Sequence, residues 1–171
     1  IRRAQSLISS WKNAMLSPAS ALAAAQNEVE NQLARVYQSY QDTLSAYQAM
    51  DFDDLIRLPV SLFETFPEVL AKWSDKLRYL LIDEYQDTNT CQYRLVRLLS
   101  GSRGAFTAVG DDDQAIYAWR GANVENLKLL QDDFSRLHII KLEQNYRSTV
   151  RILRAANTLI AHNPKLFEKK L

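Results

Sequence analysis

Two adjacent carboxylates, Asp83 and Glu84, stand directly after a continuous apolar run at 79–82. A carboxylate that closes a buried strand can hold a divalent cation against the phosphates of a nucleotide. A glutamate beside it can take a proton from an attacking water. Without a cation two such neighbours repel each other, and the plainer reading is a solvated pair opening a loop. Two further apolar runs end in the same manner. Residues 106–109 stop at Gly110 and Asp111, with Gln114 close behind; residues 137–142 stop at Glu143, Gln144 and Asn145, with Arg147 close behind. Ligands of open parallel sheets bind beyond the carboxyl ends of the strands. These three polar clusters are therefore expected to converge on one sheet edge.

Tyr117, Trp119 and Arg120 offer a different chemistry. An exposed aromatic followed by arginine can stack an unpaired base and hold the neighbouring phosphate. Aromatics at alternate positions also pack readily into a core. Asp51, Asp53 and Asp54 form an acidic group that is expected to be a solvated helix turn bracing the sheet, and no chemistry is assigned to it. Cys91 is the sole cysteine, which excludes an internal disulfide framework and a multi-cysteine zinc site, and is expected on a helix face.

The elements that must position these residues fall into two kinds. Residues 1–74 contain no glycine, and Val29, Leu33, Val36, Tyr37, Tyr40, Leu44 and Tyr47 repeat at the spacing of one helical face. Ser17 followed by Pro18 is a helix start, a cap and then proline at the first helical position. Pro59 and Pro67 are expected to divide the following stretch into short helices. This part is predicted to be all-helical. From Arg78 onward the three apolar runs alternate with helical patterns, and all four glycines lie in this region. Strand, helix, strand, helix, strand predicts a parallel α/β layer. A last amphipathic helix is predicted over 148–166.

Hydrophobic residues make up 47% and charged residues 24% of the 171, an ordinary globular balance, and no run approaches the ~18 apolar residues of a membrane span. Net charge is −2 over 1–74, −1 over 75–142 and +4 over 143–171, so only the last segment carries an electrostatic footprint for nucleic acid or phosphate. A solvated basic helix would carry the same charge. The start, Ile1-Arg2-Arg3, has no initiator Met and no apolar signal core, and reads as an internal cut. A cytoplasmic location is expected.

Residues 80–88 read LLIDEYQDT, 109–122 read VGDDDQAIYAWRGA, and 142–149 read LEQNYRST, preceded by DFDDLI at 51–56. In this order and spacing they resemble motifs II, III and IV of the superfamily 1 DNA helicases of the Rep/UvrD/PcrA group, with wording most similar to the Rep branch. The resemblance implies a partial parallel RecA-like P-loop NTPase sheet flanked by helices. It implies that Asp83 coordinates Mg2+, that Glu84 polarises the hydrolytic water, and that Gln114 senses the γ-phosphate of ATP. It further implies that Tyr146 stacks on adenine, that Arg147 is an arginine finger, and that Tyr117, Trp119 and Arg120 face single-stranded DNA. Gln86 and Asp87 are expected to brace the site rather than react. The family usually has Ser after the motif III glutamine, where this chain has Ala115 and so one hydrogen bond fewer.

The phosphate-gripping loop of such a motor needs the pattern G-x-x-x-x-G-K-[ST]. None of the four glycines here precedes a lysine. By the resemblance that loop lies upstream, with a helical subdomain inserted between it and motif II. The expected division is then 1–74 for the later part of that insertion, 75–141 for the second half of the first motor domain, and 142–171 for the start of the second. The parent would be a nucleoid-associated 3′-to-5′ DNA helicase working on single strands and duplex junctions, with replication or repair proteins as possible partners. The segment alone would be inactive, and its exposed sheet edges could pair with another copy. The competing reading is a non-hydrolysing helicase-like module that binds DNA or a partner. The retention of Asp83, Glu84, Gln114 and Arg147 together argues against it.

Overall fold

A computed structural model describes residues 1–163 and 166–167. Five helices come first: α1 (Arg2–Asn13), α2 (Pro18–Ala23), α3 (Glu28–Ala46), α4 (Asp54–Thr65) and α5 (Pro67–Lys76). Then follow β1 (Leu80–Ile82), α6 (Thr90–Ser100), β2 (Phe106–Ala108), α7 (Asn126–Asp133) and α8 (Val150–Ile160), with one-turn 3-10 helices in the connections. No described helix is long and apolar enough to cross a membrane.

Local chemistry sets most of these boundaries. The Ser17 hydroxyl accepts the Ser20 N–H with Pro18 at the first position of α2, and Asn27 caps α3 by accepting from Glu30 N–H. Asn89 and Gln92 form a reciprocal capping box at the start of α6. Pro67 opens α5 as expected, but Pro59 does not end a helix: α4 runs straight through it. Its missing N–H would have bonded the carbonyl of Leu55, and that residue is half exposed, so water can take the bond.

Two cores hold the chain. Ile8, Ala21, Ala34 and Tyr37 pack among the first helices, with Trp11 stacked 5.9 Å from the Tyr37 ring. Tyr85, Tyr93 and Leu130 form the second with Ile82, Phe106, Phe134 and Leu137 around them, and α4 packs on α6 between the two. The group at Asp51–Asp54 is a correction to the sequence reading. Asp54 is 2% exposed and, far from a solvated brace for the sheet, it pairs with Lys12 at 2.9 Å and with Arg57 at 2.9 Å. Lys12 is itself fully buried and reaches Asp51 at 2.6 Å.

The sheet among the described residues has two parallel strands, with Leu80 opposite Phe106, Leu81 opposite Thr107 and Ile82 opposite Ala108. The bonds Val109 N–H to Ile82 carbonyl and Tyr85 N–H to Val109 carbonyl, both 2.8 Å, carry the pairing past the last ladder residues. The expected third strand at 137–142 does not form. Leu137 joins the second core, but the run lies across a cleft of about 1550 Å3 from Phe106–Val109, and Ile140 and Leu142 are almost fully exposed. An apolar run becomes a strand only where a neighbouring backbone offers a ladder, and the cleft separates this run from β2. The last helix is α8, shorter than the predicted 148–166, and residues 164–165 of that span lie outside the described residues. So do Lys165, Lys169 and Lys170, half of the basic residues in the 143–171 segment.

Candidate functional site at the strand ends

Parallel pairing of β1 with β2 delivers the residues after Ile82 and after Ala108 to the same edge. Asp83 and Glu84 leave β1 exposed, and the Asp83 carboxylate accepts the Glu84 N–H at 2.9 Å. Glu84 adopts the left-handed region, φ 49 and ψ 45, which is uncommon outside glycine. That twist starts a 3-10 turn, Tyr85–Asp87, whose first two side chains plunge inward: Tyr85 is 0% and Gln86 1% exposed. Burial raises the Tyr85 phenol above its ordinary pKa, so this ring is an anchor and not an acid.

Gln86 then turns back to the surface residues. Its Nε2 donates to Glu84 Oε2 at 2.8 Å, and its Oε1 accepts the Asp111 N–H at 3.0 Å. Asp111 Oδ2 in turn accepts from Gln114 Nε2 at 2.8 Å. One run of hydrogen bonds thus joins Glu84 at the end of β1 to Gln114 beyond the end of β2. Gly110 makes room for it, because a Cβ there would sit 3.0 Å from Gln86 Oε1 and 3.3 Å from the Gln86 nitrogen. From below, buried Asn126 on α7 donates to the Thr88 carbonyl and hydroxyl and to the Asn89 carbonyl. It ties the loop after Glu84 to the helix that follows β2. Asn126 was not singled out in the sequence; an asparagine opening an amphipathic helix carries no signal of the carbonyls it will meet.

The donor set suits a hard cation. Asp83, Glu84 and Asp87 line one pocket of about 400 Å3, and Asp87 Oδ1 is buried with no hydrogen-bond partner among the described residues. Carboxylate oxygens of this kind match Mg2+, which binds through one or two carboxylates and keeps its remaining positions for water and phosphate. Asp111, Asp112 and Asp113 also lie within 4.8 Å of one another. Asp111 is already engaged by Gln114 and by the Asp113 N–H.

The aromatic segment is at the surface. Trp119 is 77% exposed, Tyr117 lies 6.4 Å from it between ring centroids, and the Arg120 guanidinium stands 5.4 Å from the Trp119 ring and 5.8 Å from the Tyr117 ring. Gly121, at φ 89, turns the chain away immediately after. These three residues are brought together, and they are not in a core.

Tyr146 and Arg147 are placed differently. Asn145 accepts the N–H groups of Arg147 and Ser148 in the turn before α8, and both Tyr146 and Arg147 project into solvent. Among the described residues no hydrogen bond or ion pair joins them to Asp83, Glu84 or Gln114. The bonded network thus unites two of the three expected clusters. Cys91 is buried against Met15, and burial pushes its thiol up to about 11, so it is no nucleophile at neutral pH.

Residues 2–135 match the family described as UvrD/REP helicase N-terminal domain. The chain is 57% identical over 166 residues to the ATP-dependent DNA helicase Rep of Salmonella typhimurium and to that of Escherichia coli K12, covering 97% of this chain and 25% of each relative. It is 47% identical over 165 residues to the ATP-dependent DNA helicase PcrA of Leuconostoc citreum, covering 96% of this chain and 22% of that protein. The chain spans about a quarter of the length of the curated relatives it matches.

Proposed function

Since the chain belongs to the UvrD/REP helicase family, we propose that it supplies half of the ATP-hydrolysing centre, and part of the DNA track, of a 3′-to-5′ DNA helicase in the bacterial cytoplasm. In this reading residues 1–74 belong to a helical insertion, 75–141 to the second half of a RecA-like motor domain, and 142–171 to the start of the next. The phosphate-gripping loop, which this sequence does not contain, comes from the three-quarters of the relatives' length that it does not span.

The observation that supports this most is the bonded run from Glu84 through Gln86 and Asp111 to Gln114. It sets a proton acceptor and an amide at fixed positions on one edge. Asp83 would hold Mg2+, whose charge would offset that building on the phosphates. Glu84 has one carboxylate oxygen on Gln86 and keeps the other for water. The water oxygen bonds to the terminal phosphorus as the bond to the bridging oxygen breaks, and the water proton passes to Glu84. The Gln114 amide can donate to phosphate and accept from water. Arg147 would stabilise charge on the transferred group and Tyr146 would stack on adenine. Their exposure in this structure leaves both free to reach a bound nucleotide. Tyr117, Trp119 and Arg120 would hold single-stranded DNA, and Trp119 lies five residues along the chain from Gln114, which gives nucleotide state a short path to the base stack.

The test is Glu84→Gln in the full-length helicase that carries this segment. DNA-stimulated hydrolysis should fall ~10²–10⁴-fold while ATP binding is kept. An unchanged rate removes Glu84 as the base. The 171-residue chain by itself should show no DNA-stimulated turnover.

A further inference from the structure

We propose that Gln86 is the positioning residue of this centre: it aims the Glu84 carboxylate and fixes it relative to the γ-phosphate-sensing turn at Gln114. The inference rests on the reading of Glu84 as the base. Glu84 needs such a residue because of where it sits. Its side chain is at the surface, its backbone lies in the left-handed region, and no cation among the described residues pairs with it. A carboxylate in that state would sample many directions, and a base is useful only within hydrogen-bond reach of one water. Among the described residues, the one side chain that donates to Glu84 is Gln86.

Gln86 is itself well fixed. It is 1% exposed, it starts from a 3-10 turn anchored by fully buried Tyr85, and its carbonyl oxygen is spent on the Asp111 N–H. That second bond orients the amide, since a carbonyl is required at Asp111 and the NH2 group must therefore face Glu84. The Val109–Ile82 and Tyr85–Val109 backbone bonds hold the ends of β1 and β2 together, and across them Gln86 links the Glu84 carboxylate to Asp111. Glu84 and Gln114 act on the same phosphoryl group from different strands, so a fixed spacing between them is what the chemistry requires. Gly110 is part of the device, for any side chain there would push on the Gln86 amide.

Two substitutions in the full-length helicase separate aiming from mere bracing. Gln86→Met keeps the volume and removes both bonds. Gln86→Glu keeps an oxygen for the Asp111 N–H but replaces the donor facing Glu84 with a like charge. Each should lower kcat for DNA-stimulated ATP hydrolysis by ~10–100-fold, by analogy with the loss of a partner that orients a metal ligand, with KM for ATP within about twofold of the parent. A purely structural brace predicts the reverse for Gln86→Glu, namely a kept kcat, and that result overturns the proposal. A KM that rises in step with the loss of kcat overturns it as well. If Gln86→Met fails to fold, Gln86→Glu decides alone. Glu84→Gln run alongside tells the two levels apart. A dead Glu84→Gln with fully active Gln86 variants sinks the aiming role only, whereas an active Glu84→Gln sinks the base and this inference with it.

Discussion

The helical half and the strand-end half of this molecule treat charge in opposite ways. Among the helices Lys12 is fully buried, and everything near it answers its charge: Asp51 at 2.6 Å, Asp54 at 2.9 Å, and the Tyr40 ring 5.1 Å from the ammonium. Arg57 closes the set on Asp54. At the strand ends Asp83 and Glu84 are exposed and meet neutral donors, a backbone N–H and the Gln86 amide. Arg120 lies over two aromatic rings and has no carboxylate partner among the described residues. Both halves set a cation against aromatic rings, yet only the buried one is neutralised. A charge whose work is complete in the folded chain is given its counter-charge by the fold. A charge left at the surface among neutral neighbours is available to something that arrives.

Substitutions on the two sides should therefore fail in different assays. The largest effect is expected for Lys12→Met, which removes the buried ammonium that Asp51 and Asp54 share. Breaking one partner of a buried pair costs ~3–5 kcal/mol, and denaturant unfolding should show that loss. Glu84→Gln in the same assay should move stability by less than about 0.5 kcal/mol, as surface changes do. If the two variants unfold alike, the contrast between the halves is wrong. Next comes Trp119→Ala, expected to weaken single-strand binding by ~1–3 kcal/mol, the energy of one base stack, with unfolding unchanged. A loss of stability instead would place Trp119 in the interior after all.

The smallest effect is with pH. Burial alone would raise the Asp51 carboxyl, but the Lys12 ammonium, the Asp54 N–H and the Tyr40 hydroxyl outweigh it and hold the group below its ordinary 3.8. A carboxylate held low in the folded state stabilises the chain above that ordinary value, and the contribution fades as pH falls through the lower, folded value. Helical circular dichroism should therefore show an acid-induced loss beginning below pH 3.8 that is missing from Lys12→Met. An acid transition unchanged by that substitution would assign the acid response to other groups.

What could be foreseen in the sequence was what is decided locally. Ser17 and Pro18 announce a helix start because capping involves residues only three apart, and the face from Val29 to Tyr47 repeats within one element. The Asp83–Glu84 pair and Gln114 were legible for the same reason, as polar residues closing apolar runs. What escaped depends on distant neighbours. Lys12 meets its aspartates across 39 and 42 residues, so Asp51–Asp54 looked like a solvated turn. The run at 137–142 has the composition of a strand, but a ladder needs an adjacent backbone and a cleft lies there instead. The two bonds that Gln86 makes could not be inferred either, because β1 and β2 must first lie side by side.

The left-handed backbone at Glu84 carries a further consequence. Any L side chain with a Cβ is held there at a cost of ~1 kcal/mol or more, and glycine alone is relieved of it. Glu84→Gly should thus make the chain easier to fold while deleting the carboxylate proposed as proton acceptor. Directed evolution that scored this segment only for yield or heat resistance would drift toward that change. On the proposed reading of Glu84 as the base, robustness and turnover are rival selections at this one position.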